Sequence, residues 1–265
     1  MKFTKMQGLG NDYLYVFGEV PSDIAKLCSK LSDRHFGAGS DGMIYISDSN
    51  ISDFKMRIFN SDGSEGKMCG NGIRCVGKYL YDKGYTDKTE LKIETLSGIK
   101  TLKLEISGGK VKAVSVGMGS GKIFDDITLN VLGKDYRLSP VSVGNPHAVI
   151  FCKDVNNAPV ETVGKIIEKD THFKDGVNVE FAEIIDEKTI RMRVWERGSG
   201  ITLACGTGAC ATVFSAVSKN YVLRNEFITV KLDGGELYIL VDEKDDITMR
   251  GSAEFVYEGE VYDKA

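Results

Sequence analysis

The chain repeats itself. Met56-Arg57-Ile58-Phe59 returns 136 residues later as Met192-Arg193-Val194-Trp195, and Cys69-Gly70-Asn71-Gly72 returns as Cys205-Gly206-Thr207-Gly208. Ile24, Leu27 and Leu31 return as Val160, Val163 and Ile167 at the same offset, and Ile93 to Gly98 aligns with Thr229 to Gly234. Towards the ends the offset slips to 134: Gly10-Asn11 matches Gly144-Asn145, and Gly117 matches Gly251. The order and near-constant spacing hold across the whole length of 265 residues. Two copies are too few for a solenoid, which needs three or more short units. The expectation is two homologous domains, residues 1–119 and 120–253, divided near Gly119-Ser120-Gly121, with residues 254–265 packing back on the first. A pseudo-twofold axis would then line a cleft with corresponding residues from each half.

The local patterns agree between the copies. Each half opens with alternating strands (Met1 to Met6; Arg137 to Val143) and continues into a short amphipathic helix (Ser22 to Leu31; Val160 to Glu168). A buried strand follows (Phe54 to Phe59; Ile190 to Trp195), then a Gly-rich turn that opens a second helix. In the first copy Ile73, Val76 and Leu80 make an apolar stripe and Gly84 is a C-terminal stop. In the second, Ala209 to Val217 is small and apolar nearly all round, the pattern of a helix buried on most sides. Strands dominate the rest, among them Leu91 to Thr95, Thr101 to Ile106, Lys110 to Val116 and Gly235 to Val241. The fold class is α+β (mixed α/β), one domain type used twice.

The two Cys-Gly-X-Gly turns carry the chemistry. Each sets a cysteine just before the start of a buried helix whose first N–H groups are unpaired and whose dipole adds partial positive charge. A thiol there is expected to ionise below the free value of about 8.5, and the N–H groups suit a carboxylate. A lone cysteine in an apolar stretch is most often a small core residue, the role assigned to Cys28, Cys75, Cys152 and Cys210. Cys69 and Cys205 differ, because they recur at equivalent Gly-flanked positions. Two thiols on opposite faces of one carbon are what a stereochemical inversion needs: one removes a proton while the other returns one. Arg197 suits bidentate capture of a carboxylate, although spacing alone fits a solvated arginine better. Asn11 and Asn145 each follow Gly and fit turns equally well. His147 follows Asn145-Pro146, and a lone histidine is more often structural.

Composition narrows the class. A net charge of -4 with 38 acidic and 34 basic residues argues against a nucleic-acid binder. No apolar run reaches the ~18 residues of a membrane span, and the first residues lack a signal core, so the cytoplasm is the expected location. The six cysteines form no CxxC pair and the three histidines (His35, His147, His172) no metal-ligand spacing. No metal or cofactor is expected.

At these residues the chain resembles the diaminopimelate epimerase family. The resemblance runs from Lys5-Met6 to Tyr257 and rests on Gly8-Leu9-Gly10-Asn11-Asp12, Phe59-Asn60-Ser61-Asp62-Gly63-Ser64, Met68-Cys69-Gly70-Asn71-Gly72, Gly144-Asn145-Pro146-His147, Glu196-Arg197-Gly198 and Ala204-Cys205-Gly206-Thr207-Gly208. It implies cofactor-independent interconversion of LL- and meso-diaminopimelate for lysine and peptidoglycan precursors. It implies Cys69 and Cys205 as the acid/base thiols, assisted by His147 and Glu196. Implied substrate contacts are Asn11, Asn60, Gly70, Asn71, Asn145, Asn178, Glu196, Arg197, Gly206 and Thr207. The implied fold wraps strands around a central helix in each domain, and the implied assembly is a homodimer with Tyr257 at a dimer contact. Gln7 stands where many members have His, and Gly42, the repeat partner of Asn178, where some use a substrate-contacting Gln. Rival readings are a racemase of histidine or proline type, separable by substrate, and a non-catalytic amino-acid-binding clamp, separable by deuterium exchange.

Overall fold

In the computed structural model, which describes residues 1–262, the chain divides into two units. Unit 1 is Met1–Val116 with the chain from Gly251 on, and unit 2 is Gly117–Arg250. Residues 263–265 of the expected C-terminal tail lie outside the described residues.

In unit 1, β1 (Lys2–Gly8) and β2 (Asn11–Phe17) form a hairpin. Leu9 and Gly10 turn it with φ of 58° and 85°, the paired positive values whose twist matches that of the strands. Gln7 Oε1 accepts the Gly10 N–H at 2.9 Å, so the glutamine that departs from the family pattern closes this turn. Helix α1 (Ile24–Ser32) carries the chain to β3 (Gly42–Asp48), which runs parallel to β2 and antiparallel to β4 (Phe54–Asn60). The short β5 (Glu65–Gly66) folds back on β4, and α2 (Gly70–Asp82) crosses to β6 (Glu90–Thr95), parallel to β4. Parallel neighbours need such crossovers. β7 (Gly98–Ser107) and β8 (Lys110–Ser120) continue antiparallel.

Unit 2 uses the same order. After β9 (Lys122–Ile123) and β10 (Ile127–Val131) come β11 (Lys134–Ser142), β12 (Pro146–Phe151), α3 (Val160–Glu168), β13 (Asn178–Asp186), β14 (Thr189–Glu196), β15 (Gly200–Ile201), α4 (Gly206–Ser218), β16 (Ile228–Leu232), β17 (Gly235–Val241) and β18 (Asp246–Gly251). β12 pairs parallel with β13, and β14 with β16, as β2 does with β3 and β4 with β6. The final β19 (Glu254–Glu260) lies antiparallel to β1, as β9 does to β11. The fold is mixed α/β, mostly strand with four helices among the described residues.

Helices α2 and α4 are the buried ones. α4 is enclosed from Gly208 to Val217, as its all-apolar sequence requires. α2 is likewise enclosed, from Gly70 to Leu80, polar positions included. Those positions meet partners instead of water. Lys78 Nζ pairs with Asp82 at 2.9 Å and donates to the Val111 carbonyl at 2.6 Å. Arg74, wholly buried, donates to Asn71 Oδ1 at 3.0 Å and to the Ser252 carbonyl at 3.1 Å. A stripe of apolar residues cannot reveal burial on the opposite face when that face is made of satisfied charges. Gly84 ends α2 with φ 78°, its N–H donating to Tyr81 while Tyr85 donates to Leu80.

Candidate active site

Cys69 and Cys205 are the N-cap residues of α2 and α4. Both have extended backbones (φ -130°, ψ 120° and φ -111°, ψ 111°), and both sulfurs accept the N–H of the third helical residue, Gly72 or Gly208, at 3.3 Å. Ser, Thr, Asp and Asn usually hold this place; here a thiol does. Glycine at the third position lets a neighbouring side chain pack closely on the helix terminus. A Cβ on Gly72 would stand 2.6 Å from Ile44 Cδ1, and one on Gly208 would stand 2.8 Å from Glu180 Oε1 and 3.2 Å from Cys205 Sγ.

Around Cys69, the thiol donates to Asn11 Oδ1 at 3.2 Å, and Asn11 Nδ2 donates to Asp41 Oδ2 at 2.7 Å. Asp41 in turn accepts from the Asp12 N–H and from Arg34. Burial alone would push the Asp12 carboxyl up, but hydrogen bonds and charges from Arg34 and Lys5 hold it below the usual carboxylate range. The Tyr13 hydroxyl bonds Asn11 and Cys69, and burial followed by the Cys69 charge raises it far above an ordinary phenol. Gly70 and Asn71 open α2, both buried. Asn60 lies at the end of β4, where Nδ2 donates to Ser64 Oγ at 3.0 Å and its carbonyl accepts from Cys28 Sγ at 3.1 Å.

Around Cys205, Thr207 Oγ1 lies 3.6 Å from the sulfur and accepts from Asn145 Nδ2 at 3.3 Å. His147 Nε2 meets Asn145 Oδ1 at 3.0 Å, and Nδ1 meets Glu180 Oε1 at 2.6 Å. The Cys205 thiol donates to Glu196, whose carboxyl is raised by burial against the pull of Thr202 and of that thiol. The expected depression of the thiol fails at Cys205. Burial, then the negative charges of Glu196 and Glu180, push it well above its ordinary value, and the Thr207 and Gly208 donors do not offset them. Desolvation outweighs a half-charge helix terminus when two carboxylates share the site.

Asn178 and Arg197 form a second group in unit 2. Asn178 Nδ2 donates to the Pro146 carbonyl at 2.9 Å, and Oδ1 accepts the Arg197 N–H at 3.0 Å. The Arg197 guanidinium is exposed and donates to the Asp175 carbonyl at 2.7 Å. The repeat partner of Asn178, Gly42, has φ 154°, and a Cβ there would stand 2.0 Å from the Phe59 carbonyl oxygen. The glycine is therefore required by the backbone, and no glutamine fits. Tyr257 lies on β19, 41% exposed. Cys28, Cys75 and Cys210 are buried as expected of core residues, whereas Cys152 is only half-buried. The sequence reading missed Tyr13, Asp41, Glu180 and Thr202. Their only signal is proximity in the fold, which no local spacing displays.

A family model described as diaminopimelate epimerase matches residues 3–124 and 140–256. A diaminopimelate epimerase of Methanococcus maripaludis (strain C5) is 51% identical, covering 98% of this chain and 99% of its own length. Those of Acetivibrio thermocellus and Phocaeicola vulgatus are each 48% identical, covering 98% of both chains. Among solved structures, a Bacillus anthracis phenazine biosynthesis protein of the PhzF family superposes with a TM-score of 0.79 at 16% identity over 98% of each chain. A probable proline racemase from Agrobacterium radiobacter reaches 0.74 at 15% identity, covering 98% of this chain and 92% of its own.

Proposed function

The chain belongs to the diaminopimelate epimerase family, and we propose from that premise that it is an isomerase interconverting LL- and meso-diaminopimelate with Cys69 and Cys205 as its two acid/base groups. The observation that carries this reading is the matched pair of thiol N-caps. Each sulfur accepts a helix N–H at 3.3 Å and sits beside N–H groups suited to a substrate carboxylate.

The chemistry divides as follows. Cys205, among the Glu196 and Glu180 charges, holds its proton and starts as the acid. Cys69 starts as the base in its thiolate form, accepting from the Tyr13 hydroxyl in place of donating to Asn11, and takes the α-proton from one face as Cys205 delivers one to the other. For the opposite epimer the roles exchange. Glu196 accepts from the Cys205 thiol and takes its proton when that thiol must become the base, a task that its raised carboxyl pKa suits. The helix N–H groups from Gly70-Asn71 and Gly206-Thr207 stabilise charge developing on the reacting carboxylate. Two proton transfers between sulfur and carbon balance without any cofactor. Asn60, Asn145, Asn178 and Arg197 hold the remaining polar groups of the substrate. Arg197 exchanges the Asp175 carbonyl for the distal carboxylate, a bidentate match.

We further propose that the two units are duplicated repeats and that the enzyme is a cytoplasmic homodimer contacting through β19. β19 pairs with β1, and it exposes Phe255 (36%), Val256 (52%) and Tyr257 (41%) together, the kind of apolar surface that proteins cover. No helix among the described residues is long and apolar enough to cross a membrane.

Incubation with LL-diaminopimelate in heavy water tests the reaction. The expected result is meso product carrying solvent deuterium at the α-carbon. Product without deuterium, or no product, overturns the two-thiol mechanism.

A further inference from the structure

Glu180 is a fully buried carboxylate in the middle of β13. Oε1 lies 2.6 Å from His147 Nδ1, and Oε2 has no hydrogen-bond partner. Both side chains of the pair are 0% exposed. The repeat shows that this position does not need a charge. At the 136-residue offset Glu180 corresponds to Ile44, and the two occupy the same place against their helices: Ile44 Cδ1 guards Gly72 as Glu180 Oε1 guards Gly208. At the 134-residue offset His147 corresponds to Tyr13. One copy of the fold is thus built with an aliphatic side chain where the other buries a carboxylate on a histidine.

Burying such a pair costs several kcal/mol per ion, and a well-packed apolar pair is often as stable or more so. Ile44, wholly buried, is that apolar solution inside the same molecule. The carboxylate is therefore not there for the fold. What it does is geometric. A carboxylate against Nδ1 keeps the proton on that nitrogen whether the ring is charged or neutral. Nε2 faces Asn145, which bonds Thr207, which lies against Cys205. Asn145 meets either state, presenting Oδ1 to a protonated Nε2 or, after an amide flip, Nδ2 to a bare one.

We propose that Glu180 is a positioning residue for the reaction, fixing His147 in the Nδ1–H form and aiming Nε2 through Asn145 at the Thr207–Cys205 end of the site. This rests on the two-thiol reading above. The other ionisable groups around the pair are Glu196 and Cys205, the latter feeling both carboxylates.

The test uses Glu180→Ile, which borrows the residue of the twin repeat, and Glu180→Gln, which keeps an acceptor without the charge. Protein labelled with ¹⁵N-histidine resolves three rings, His35, His147 and His172. In the wild type the His147 signal should show a protonated Nδ1. In Glu180→Ile it should switch to a protonated Nε2 donating to Asn145, with kcat lower by about 10- to 100-fold, the usual effect of removing an orienting partner. KM should stay within about twofold, and the melting temperature should be no lower than wild type. Glu180→Gln should recover most of kcat and the Nδ1–H signal. A Glu180→Ile enzyme with wild-type kcat, or with an unchanged His147 signal, overturns the proposal. So does a loss that Glu180→Gln fails to rescue, or one that follows the melting temperature. Absence of solvent deuterium in wild-type product would fell the two-thiol reading instead, and the ring signals would still decide what Glu180 does to His147.

Discussion

If the Cys205 thiol is the acid proposed above as well as an N-cap, replacing it separates stability from chemistry. Cys205 Sγ accepts the Gly208 N–H at 3.3 Å on a helix whose first turn is buried, so that N–H has no ready substitute. Cys205→Ala removes the acceptor, which costs about 0.5–2 kcal/mol, with the upper end expected at this enclosed terminus. For a chain of this size about 2 kcal/mol is about 4–8 °C in melting temperature. Cys205→Ser should behave differently, because serine is among the best N-caps and its hydroxyl can also donate to Glu196. It should melt within about 2 °C of wild type. Both variants should lose epimerisation by more than about 10³-fold, within the range that general acid–base groups supply, because an alcohol yields its proton far less readily than a thiol. Calorimetry and the epimer ratio of the product measure the two effects separately. If the serine variant turns over within tenfold of wild type, Cys205 is not an acid/base group; if alanine and serine melt together, the sulfur is not a working cap.

Burial raises Glu196, so its contribution to stability is full at low pH and is lost as pH rises through its folded value; Glu196→Gln should therefore be more stable than wild type at neutral pH, by calorimetry, and much less active. Asp12 is shifted the other way, so its pairing stabilises above about pH 4, near the free carboxyl value, and fades as pH falls below. Lys5→Met should cost about 3 kcal/mol at pH 7, at the lower end for a broken buried pair, with the gap to wild type closing towards pH 3 in urea melts. Gly42→Gln, an attempt to restore the polar contact of some family members, should unfold the protein or cost more than about 3 kcal/mol, since its Cβ would meet the Phe59 carbonyl at 2.0 Å; circular dichroism and solubility report it. Tyr257→Asp should shift the sedimentation coefficient from dimer to monomer if β19 is the contact.

What the sequence made legible was whatever is local or periodic. The Cys-Gly-X-Gly turns pointed to both N-caps, because capping is settled within four residues of chain. How α2 can be buried with Arg74 and Lys78 on it was hidden, because these two bond Asn71, Ser252, Asp82 and Val111, partners up to 178 positions away. The protonation of Cys205 was hidden for the same reason. A helix terminus can be read from residues 205–208, but the opposing carboxylates arrive from β13 and β14, and only the folded chain brings Glu180 and Glu196 to the sulfur. Gly42 looked like a missing substrate contact and Gln7 like a departure from the family pattern, and both are backbone solutions in the structure.

The two cysteine caps share a backbone conformation and differ in the side chains around them. A repeat supplies two thiols on two helix termini at once, with the same cap geometry to within 0.1 Å of a common 3.3 Å contact. An inversion nevertheless needs one thiol that starts with its proton and one that starts without, and identical surroundings cannot provide both. The differences fall where this demand requires them. Cys69 faces the neutral partners Asn11 and Tyr13, whereas Cys205 faces Glu196, Glu180 and the His147–Asn145–Thr207 chain. Exchanging the surroundings at one position is therefore informative. Placing the carboxylate in unit 1 by Ile44→Glu would put an unpaired charge against Gly72, with Tyr13 rather than histidine to meet it. That variant should lose stability by several kcal/mol, whereas Glu180→Ile should not. The unequal cost of two swaps at one repeat position would show that the charge in unit 2 depends on its histidine, and equal costs would show that it does not.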